Sequence, residues 1–387
     1  MNSFILHHGT VYQFGRFEPG DILVEDGVIT RVGPDVPHPA GLPVIDMSGL
    51  RAVPGFIDAH THGAVGVDVN AADEAGLKKI AAFFASQGVT AFNASVLTDT
   101  EEQTMRSIDT VKRVAAQRGY GAQLLGAHLE GPFLSPAFKG AMPEWLLKSG
   151  DTALLKRYIE AAGETLTYLT VAPEVPGAAE LIPYAARHTV VALGHSGASY
   201  EQSMQAIRDG ARAITHTFNG MQLFHQHAPG LMGAGLESDV WCEAICDGRH
   251  LHPGTVRMLL KCKGYGRVVA VTDSIMAAGL PDGRYRLGVN DVIVRDGDAR
   301  LAVGDSRAGS TLTMHQAMLN LMRFTARPLE DVLPLLTQNP AELLRVDRRK
   351  GRLAPGLDAD IVLLDEQYRV ARTFVRGDTV FSREERS

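Results

Sequence analysis

Between residues 54 and 345, short apolar runs alternate with amphipathic stretches, and no other feature of the chain limits its fold so much. "GVTAFNAS" follows "EAGLKKIAAFFASQ", "LLGAHLE" follows "TMRSIDTVKRVAAQ", and "LTYLTVAPE" follows "ALLKRYIEAA". "VVALGHS", "AITHTFNG", "WCEAICDG" and "RVVAVTDS" continue the series. Mostly apolar runs this short suit buried parallel strands, and the amphipathic stretches suit helices laid against them. Repetition of such units predicts an α/β fold with a parallel sheet wrapped by helices. Their number favours a closed (β/α)8 TIM barrel over an open sheet. Each run ends in a polar residue or glycine, and a barrel of this kind carries its active site at those C-terminal strand ends.

The two ends of the chain read differently. "DILVEDGVITRVG" holds two β-rich runs around Asp26-Gly27, a hairpin signal. "DADIVLLDEQYRVARTFVRGDTV" is again strand, turn, strand, with Arg376-Gly377-Asp378 as a turn. Residues 1–53 and 346–387 are therefore expected to form one small β-sandwich domain, and residues 54–345 the catalytic barrel. A chain of 387 residues, 45% of them hydrophobic, can fill both cores. A net charge of −6 with scattered Lys and Arg argues against a nucleic-acid partner. Apolar runs such as Val53–Ile57 are too short to span a bilayer, and the N-terminus lacks the basic and apolar regions of a signal peptide. The expectation is a cytoplasmic protein with no membrane partner. Cys242, Cys246 and Cys262 lack metal-finger spacing and read as buried thiols of a reducing compartment. The first two read as a pair facing one side of a short element.

"PGFIDAHTHG" sets His60 and His62 two apart after an apolar run. On a strand such residues share a face, so both imidazoles can aim at one metal. Taken alone, the pair fits two turn histidines as well. Other run ends add to it: "HLEGPF" ends a run in Glu130, with His128 on the same face, "ALGHSG" in His195, "ITHTFNG" in His216 and "AVTDS" in Asp273. Each by itself fits a capping or hydrogen-bonded core residue. Together, at what read as five successive strand ends of one barrel, they make a ligand set for zinc, iron, manganese or cobalt. A carboxylate such as Glu130 can bridge two ions, and two close ions clamp a carbonyl and generate hydroxide at neutral pH.

"PGFIDAHTHG", "HLEGPF", "GHSGAS", "THTFNGM", "DGRHLHP", "VTDS", "AGSTLTM" and the pattern G-x-L-x-P-G-x-x-A-D-I-V from Gly351 to Val362 stand in this order along the chain. In that order they resemble the amidohydrolase superfamily, and within it the N-acetylglucosamine-6-phosphate deacetylases. The N-acetylgalactosamine-6-phosphate deacetylases share these motifs. The resemblance covers essentially the whole chain. It implies removal of the acetyl group from an amino-sugar 6-phosphate, with one or two divalent ions per chain (Zn, Fe, Mn or Co), in a homodimer. Glu130, His195 and His216 match the family's metal site. His60 and His62 match the second site of its two-metal members, where Glu130 bridges and Asp273 completes the shell. Asn219 and Gly220 match contacts to the sugar phosphate. His250 matches another substrate contact, although "DGRHLHP" also fits a helix-start histidine, and His252 is expected to pack. Ala308 and Gly309 match the loop that closes on the substrate.

Amide hydrolysis needs a sharpened nucleophile, a polarised carbonyl and a protonated leaving nitrogen. The resemblance implies metal-bound hydroxide as the nucleophile, with Asp273 taking the water's proton and handing it to the departing amine. His128 is expected to orient ligands rather than react. Two departures bear on the substrate. In "HQHAPGL", His227 stands where the family carries a phosphate-binding arginine that reaches across from the other subunit, and Ala228 replaces an acid. In "KGAMPEW", Met142 stands where relatives often carry His or Gln. Arg307 in "SRAGS" takes the place of a usual aliphatic residue and, with His227, His250 and Asn219, is expected to hold the 6-phosphate. The rival substrates are the galacto epimer and a non-phosphorylated N-acyl amino sugar or amino acid. A catalytically inactive sugar-phosphate binding protein is the rival of another class, and the intact ligand set argues against it. Glu130 argues against cyclic amides, whose hydrolases typically carry a modified lysine at the bridging position.

Overall fold

The alternating runs become eight parallel strands joined in chain order in one sheet: Phe56–Asp58, Val89–Leu97, Gln123–Glu130, Leu166–Val171, Val190–Leu193, Ala213–Ile214, Trp241–Ile245 and Val268–Val271. In the computed structural model, which describes residues 2–304 and 306–383, a helix follows each strand, from Glu74–Ser86 after the first to Met314–Thr325 after the last. Side chains of Asp73, Thr100, Asp151 and Ser199 accept hydrogen bonds from the first turns of their helices. Such caps satisfy backbone N–H groups that a helix start leaves unpaired. Alternation along the strands sorts the core into two layers. Ile57, Ala91, Tyr168, Ala192 and Ile245 fill the inside of the barrel, while Phe56, Phe92, Leu169, Val191 and Cys242 pack outward with the helices.

The first and last strands meet beyond their own ends. The Asp273 N–H donates to the His60 carbonyl at 2.8 Å, and the His62 N–H to the Ser274 carbonyl at 2.7 Å. The buried Asp58 carboxylate accepts from the Thr272 hydroxyl at 2.6 Å across the same seam. Burial pushes Asp58 up to about 6 against the pull of the Thr272 hydrogen bonds. The barrel thus closes at the residues expected to bind metal.

Strands from both ends share a second eight-stranded sheet. Its main path runs Asp378–Ser382, Val370–Val375, Ile361–Leu364, Arg51–Pro54, Phe4–Gln13, Arg16–Glu25, Val28–Gly33, and Val44–Asp46 pairs with Phe4–Gln13. Phe4, Leu6, Ile22, Ile29, Ile361 and Phe374 form its core, with the Phe4 and Phe374 rings stacked at 4.9 Å. Both expected hairpins are present. Asp26 and Gly27 have φ of 49° and 78°, and Arg376 and Gly377 repeat those values. Positive φ at both central residues is the turn that suits strand twist. Asp378 already pairs with Val375 in the ladder, so the second turn is one residue shorter than expected. In the Gly351–Val362 segment, Asp360 accepts from the buried Lys350 ammonium at 2.6 Å, and its carbonyl accepts the Gly55 N–H at 2.9 Å.

One element had no counterpart in the sequence reading. Gly283–Leu287, Asn290–Arg295 and Asp298–Leu301 form a three-stranded antiparallel sheet between the last barrel strand and its helix. Leu287, Val292 and Val294 pack with Leu97, Leu134 and Met142. Cys242 and Cys246 are buried as expected, whereas Cys262 is exposed, on the solvent side of helix Pro253–Lys263. His252 does not pack: it is exposed and caps that helix, accepting the Gly254 N–H at 3.0 Å. Among the described residues no helix is long and apolar enough to cross a membrane.

The two hairpin turns touch. A β-carbon on Gly27 would lie 2.3 Å from the Arg376 carbonyl oxygen, at a φ that L residues avoid. Gly27→Ala is expected to cost more than about 1 kcal/mol of stability, since Ala is strained where φ is positive. Urea unfolding reads this as a lower midpoint. An unchanged midpoint would show that the contact tolerates a methyl group.

Candidate metal centre

The residues singled out at the strand ends converge. They leave the first, third, fifth, sixth and eighth strands rather than successive ones, because the second, fourth and seventh supply supporting groups instead. Glu130 lies at the middle. Its Oε1 is 3.1 Å from Nε2 of both His195 and His216, and its Oε2 is 3.1 Å from Nε2 of His62. Asp273 Oδ1 is 3.1 Å from Nε2 of His62 and 3.6 Å from Nε2 of His60. Two groups of three result, His60–His62–Asp273 and Glu130–His195–His216, each with its ligand atoms within 4.8 Å of one another. His195, His216 and Asp273 hold φ of 49°, 28° and 49°. Left-handed backbone at side-chain-bearing residues costs about 1–3 kcal/mol each and collects at functional sites.

The donor chemistry fits divalent ions. His62 Nδ1 donates to the Ser95 carbonyl at 3.0 Å, and His195 Nδ1 to the Phe138 carbonyl at 2.9 Å. His60 Nδ1 donates to Glu243 Oε2 at 3.0 Å. With the proton fixed on Nδ1, each neutral ring turns an Nε2 lone pair inward. The Nε2 atoms of His60 and His62 then face each other at 3.1 Å, and those of His195 and His216 lie 3.0 Å apart, although His216 Nδ1 is buried with no hydrogen-bond partner among the described residues. Lone pairs at that separation need a proton or a cation between them. Without an ion, protons serve. Burial opposes charge on His60, but the carboxylates of Glu130, Glu243 and Asp273 outweigh it and hold the ring well above its ordinary value. His62 is likewise raised to about 9, against its burial, by hydrogen bonds to Asp273 and Glu130. Burial would raise Glu130, yet the His60 charge and the imidazole hydrogen bonds hold it well below the usual carboxylate range. Asp273 is lowered in the same way.

His128 makes no hydrogen bond to this set. It bonds the Ser95 hydroxyl at 2.8 Å and the Thr170 hydroxyl at 2.9 Å, and its ring stands edge-on to His60 at 4.5 Å. Burial and the neighbouring His60 push its pKa well down, which suits a neutral ring beneath the centre. The group that grips a candidate ligand by carboxylate is Glu243, which the sequence reading missed. Besides His60 it accepts the His216 backbone N–H at 2.9 Å. The signal was available: an acid inside the apolar run "WCEAIC", wholly buried in the seventh strand. Acids are almost never fully buried without a partner.

Above the ligands lies a cavity of about 280 Å³. Met142, Asn219, Gly220, His250, Arg307 and Gly309 line it. The Asn219 amide donates to the His216 carbonyl, and His250 Nδ1 is held by Asp247 at 2.7 Å. Gly309 approaches so closely that a β-carbon would stand 2.8 Å from the Asp273 carbonyl. Ala308, by contrast, is buried behind the lining, its N–H bonded to the Ala299 carbonyl. Arg307 reaches the cavity, but its Nε donates to Asp298 at 3.0 Å. His227 does not line the cavity of its own chain; it is exposed, in a loop with Leu223 and Phe224, which are 78% and 52% exposed.

The sequence profile of the Amidohydrolase family matches residues 51–380. An N-acetylglucosamine-6-phosphate deacetylase of Lysinibacillus sphaericus is 34% identical, over 97% of both chains. An N-acetylgalactosamine-6-phosphate deacetylase of Escherichia coli O157:H7 is also 34% identical, over 94% of this chain and 95% of its own. Among solved structures, an aspartate-to-alanine mutant of the Mycobacterium smegmatis N-acetyl-D-glucosamine-6-phosphate deacetylase, in complex with N-acetyl-D-glucosamine-6-phosphate, superposes with a TM-score of 0.91. It is 32% identical, and the match covers 99% of this chain and 100% of that one.

The Glu243 contacts lead to a prediction. Glu243→Gln keeps the shape and removes the charge that fixes the His60 tautomer. Divalent-ion affinity is expected to fall about 10–100-fold, the usual effect of losing a ligand's orienting partner. Competition against a chelator measures it, and an affinity within twofold of wild type would remove Glu243 from the centre.

Proposed function

The chain belongs to the amidohydrolase family, in its N-acetylglucosamine-6-phosphate deacetylase group, and from that premise we propose that it hydrolyses the acetamide of N-acetylglucosamine 6-phosphate. One water is taken up, and glucosamine 6-phosphate and acetate leave. The observation that carries this reading is the pair of buried ligand groups joined at Glu130 beneath a polar-lined cavity. Glu130, His195 and His216 hold one divalent ion in this proposal. His60, His62 and Asp273 hold a second, with Glu130 shared. Nitrogen and carboxylate donors suit zinc, iron, manganese or cobalt. Ions bound there supply Lewis-acid chemistry, polarising a carbonyl and acidifying water.

The chain's own residues do the rest. Asp273 accepts the proton of the attacking water. It then returns that proton to the departing nitrogen. His250, anchored through Nδ1 on Asp247, keeps its other nitrogen for a sugar hydroxyl. Met142 and Leu287 present apolar surface to the same cavity and limit water. Asn219, Gly220 and the Arg307 loop bind the phosphorylated end. Arg307 spends two N–H groups on Asp298 and has others for an anion. His227 serves the cavity of a partner subunit in a homodimer. Residues 1–53 and 346–387 form the supporting β domain, residues 54–345 the catalytic barrel, and the protein is cytoplasmic. The N-acetylgalactosamine relative is as similar as the N-acetylglucosamine one, so the galacto epimer is the second substrate to test.

Turnover of both epimers, with and without the 6-phosphate, tests the proposal in chelated and reconstituted protein. Activity is expected only with metal and to be highest on the phosphorylated gluco sugar. Undiminished activity in metal-free protein would overturn it. Asp273→Asn is expected to bind substrate and lose at least about 10²–10⁴-fold in kcat, the worth of a general acid–base group. A variant within tenfold of wild type would remove Asp273 from proton transfer. Arg307→Ala is expected to lower kcat/KM for the phosphorylated sugar by about 1.5–3 kcal/mol, as for a charge-assisted hydrogen bond, and to spare the other sugar. Equal losses on both would show that Arg307 does not read the phosphate.

A further inference from the structure

A second histidine–carboxylate cluster lies outside the barrel, in the sheet built from the chain ends. The strand Phe4–Gln13 slips register against Arg16–Glu25 between Leu6 and Gly9, so His7 and His8 both stand opposite Asp21. This is a β-bulge, and His8 at its centre holds a φ of 64°. Bulges re-aim side chains. Neighbours on a regular strand point to opposite faces, yet the His7 and His8 rings lie 3.4 Å apart, centroid to centroid. His38 arrives from the loop after Val28–Gly33 and sets its ring edge-on to His7 at 4.4 Å.

Asp21 gathers these groups. Its Oδ2 is 2.6 Å from His7 Nδ1 and 3.0 Å from His38 Nε2, while Oδ1 accepts the His8 backbone N–H at 3.1 Å. The Asp21 side chain is 12% exposed and the two rings 28% and 36%, so the carboxylate is fixed and the site opens to solvent. The three ligand atoms lie within 4.8 Å of one another. Burial would raise Asp21, but hydrogen bonds from His38 and His7 lower it, so the carboxylate is ionised.

We propose that His7, Asp21 and His38 form a further transition-metal site, for a divalent ion of the zinc class, separate from the barrel centre. Two imidazole nitrogens and one carboxylate oxygen are borderline donors that such ions prefer. Bonds of about 2.0–2.1 Å in a tetrahedral shell set ligand atoms roughly 3.3 Å apart. From 2.6 Å and 3.0 Å, the His7–Asp21 contact opens by roughly 0.7 Å and the His38–Asp21 contact by roughly 0.3 Å. The ion replaces the two protons that now bridge the rings to Asp21. The fourth position falls to water, or to His8, whose Nδ1 lies 3.7 Å from Asp46 on the same rim.

Zinc bound per chain, counted by equilibrium dialysis of the full-length protein and elemental analysis, tests this. Wild type is expected to hold one zinc more than His38→Ala, at unchanged amide turnover. His7→Gln is expected to lose the same ion. Because His38 sits in a loop, its replacement leaves the sheet ladder intact, and circular dichroism checks that. Equal zinc counts in wild type and both variants would overturn the proposal. So would an ion lost from the variants only together with activity, which would place it in the barrel.

Discussion

A carboxylate at 2% exposure is stable inside a protein only where opposite charge or donors surround it, and four imidazoles face Glu130. The dependence runs both ways. Each of those rings would be costly to bury beside the others without the carboxylate. Three of them are also gripped from behind, by Glu243, the Ser95 carbonyl and the Phe138 carbonyl. The centre is therefore a shell within a shell, and the outer one decides which nitrogen faces inward. The inner one is a set of buried nitrogen and carboxylate groups that could hold a metal ion.

Barrel closure and ligand placement are the same physical event. The hydrogen bonds that join the first and last strands belong to His60, His62, Asp273 and Ser274. Asp58 and Thr272 seal the joint just below. Any loosening of the seam separates His60 and His62 from Asp273, so the fold cannot relax there without dismantling half of the centre. Left-handed backbone at His195, His216 and Asp273 shows the cost of converging so many polar groups. The large apolar layers inside the barrel and under the helices offset that cost.

The two larger of the further sheets frame the barrel. The small three-stranded one brings Leu287 to the cavity, while Asp298 from its last strand anchors Arg307. The larger one ties the chain ends together and meets the barrel through Gly55 and Asp360 and through Thr373, whose hydroxyl donates to the Ala85 carbonyl. Its bulge at His7 and His8 has no evident part in holding the barrel. That is why its cluster with Asp21 and His38 stands out.

The sequence alone was enough for the strand–helix alternation, the two hairpin turns and the polar run ends. Each is written in neighbouring residues: a period of two or near four, an Asp-Gly or Arg-Gly pair, a histidine two places from another. Tertiary structure alone decided which groups meet. Spacing along the chain could not show that the candidate ligands skip the second, fourth and seventh strands, since that depends on how strand ends are arranged around a closed barrel. Nor could it place Glu243 behind His60, 183 residues away, or turn Arg307 toward Asp298. The three-stranded sheet escaped notice because its half-exposed strands carry a weak apolar signal. Local periodicity fixes what each segment becomes. Contacts between distant segments depend on closure and register, which no short stretch of sequence contains.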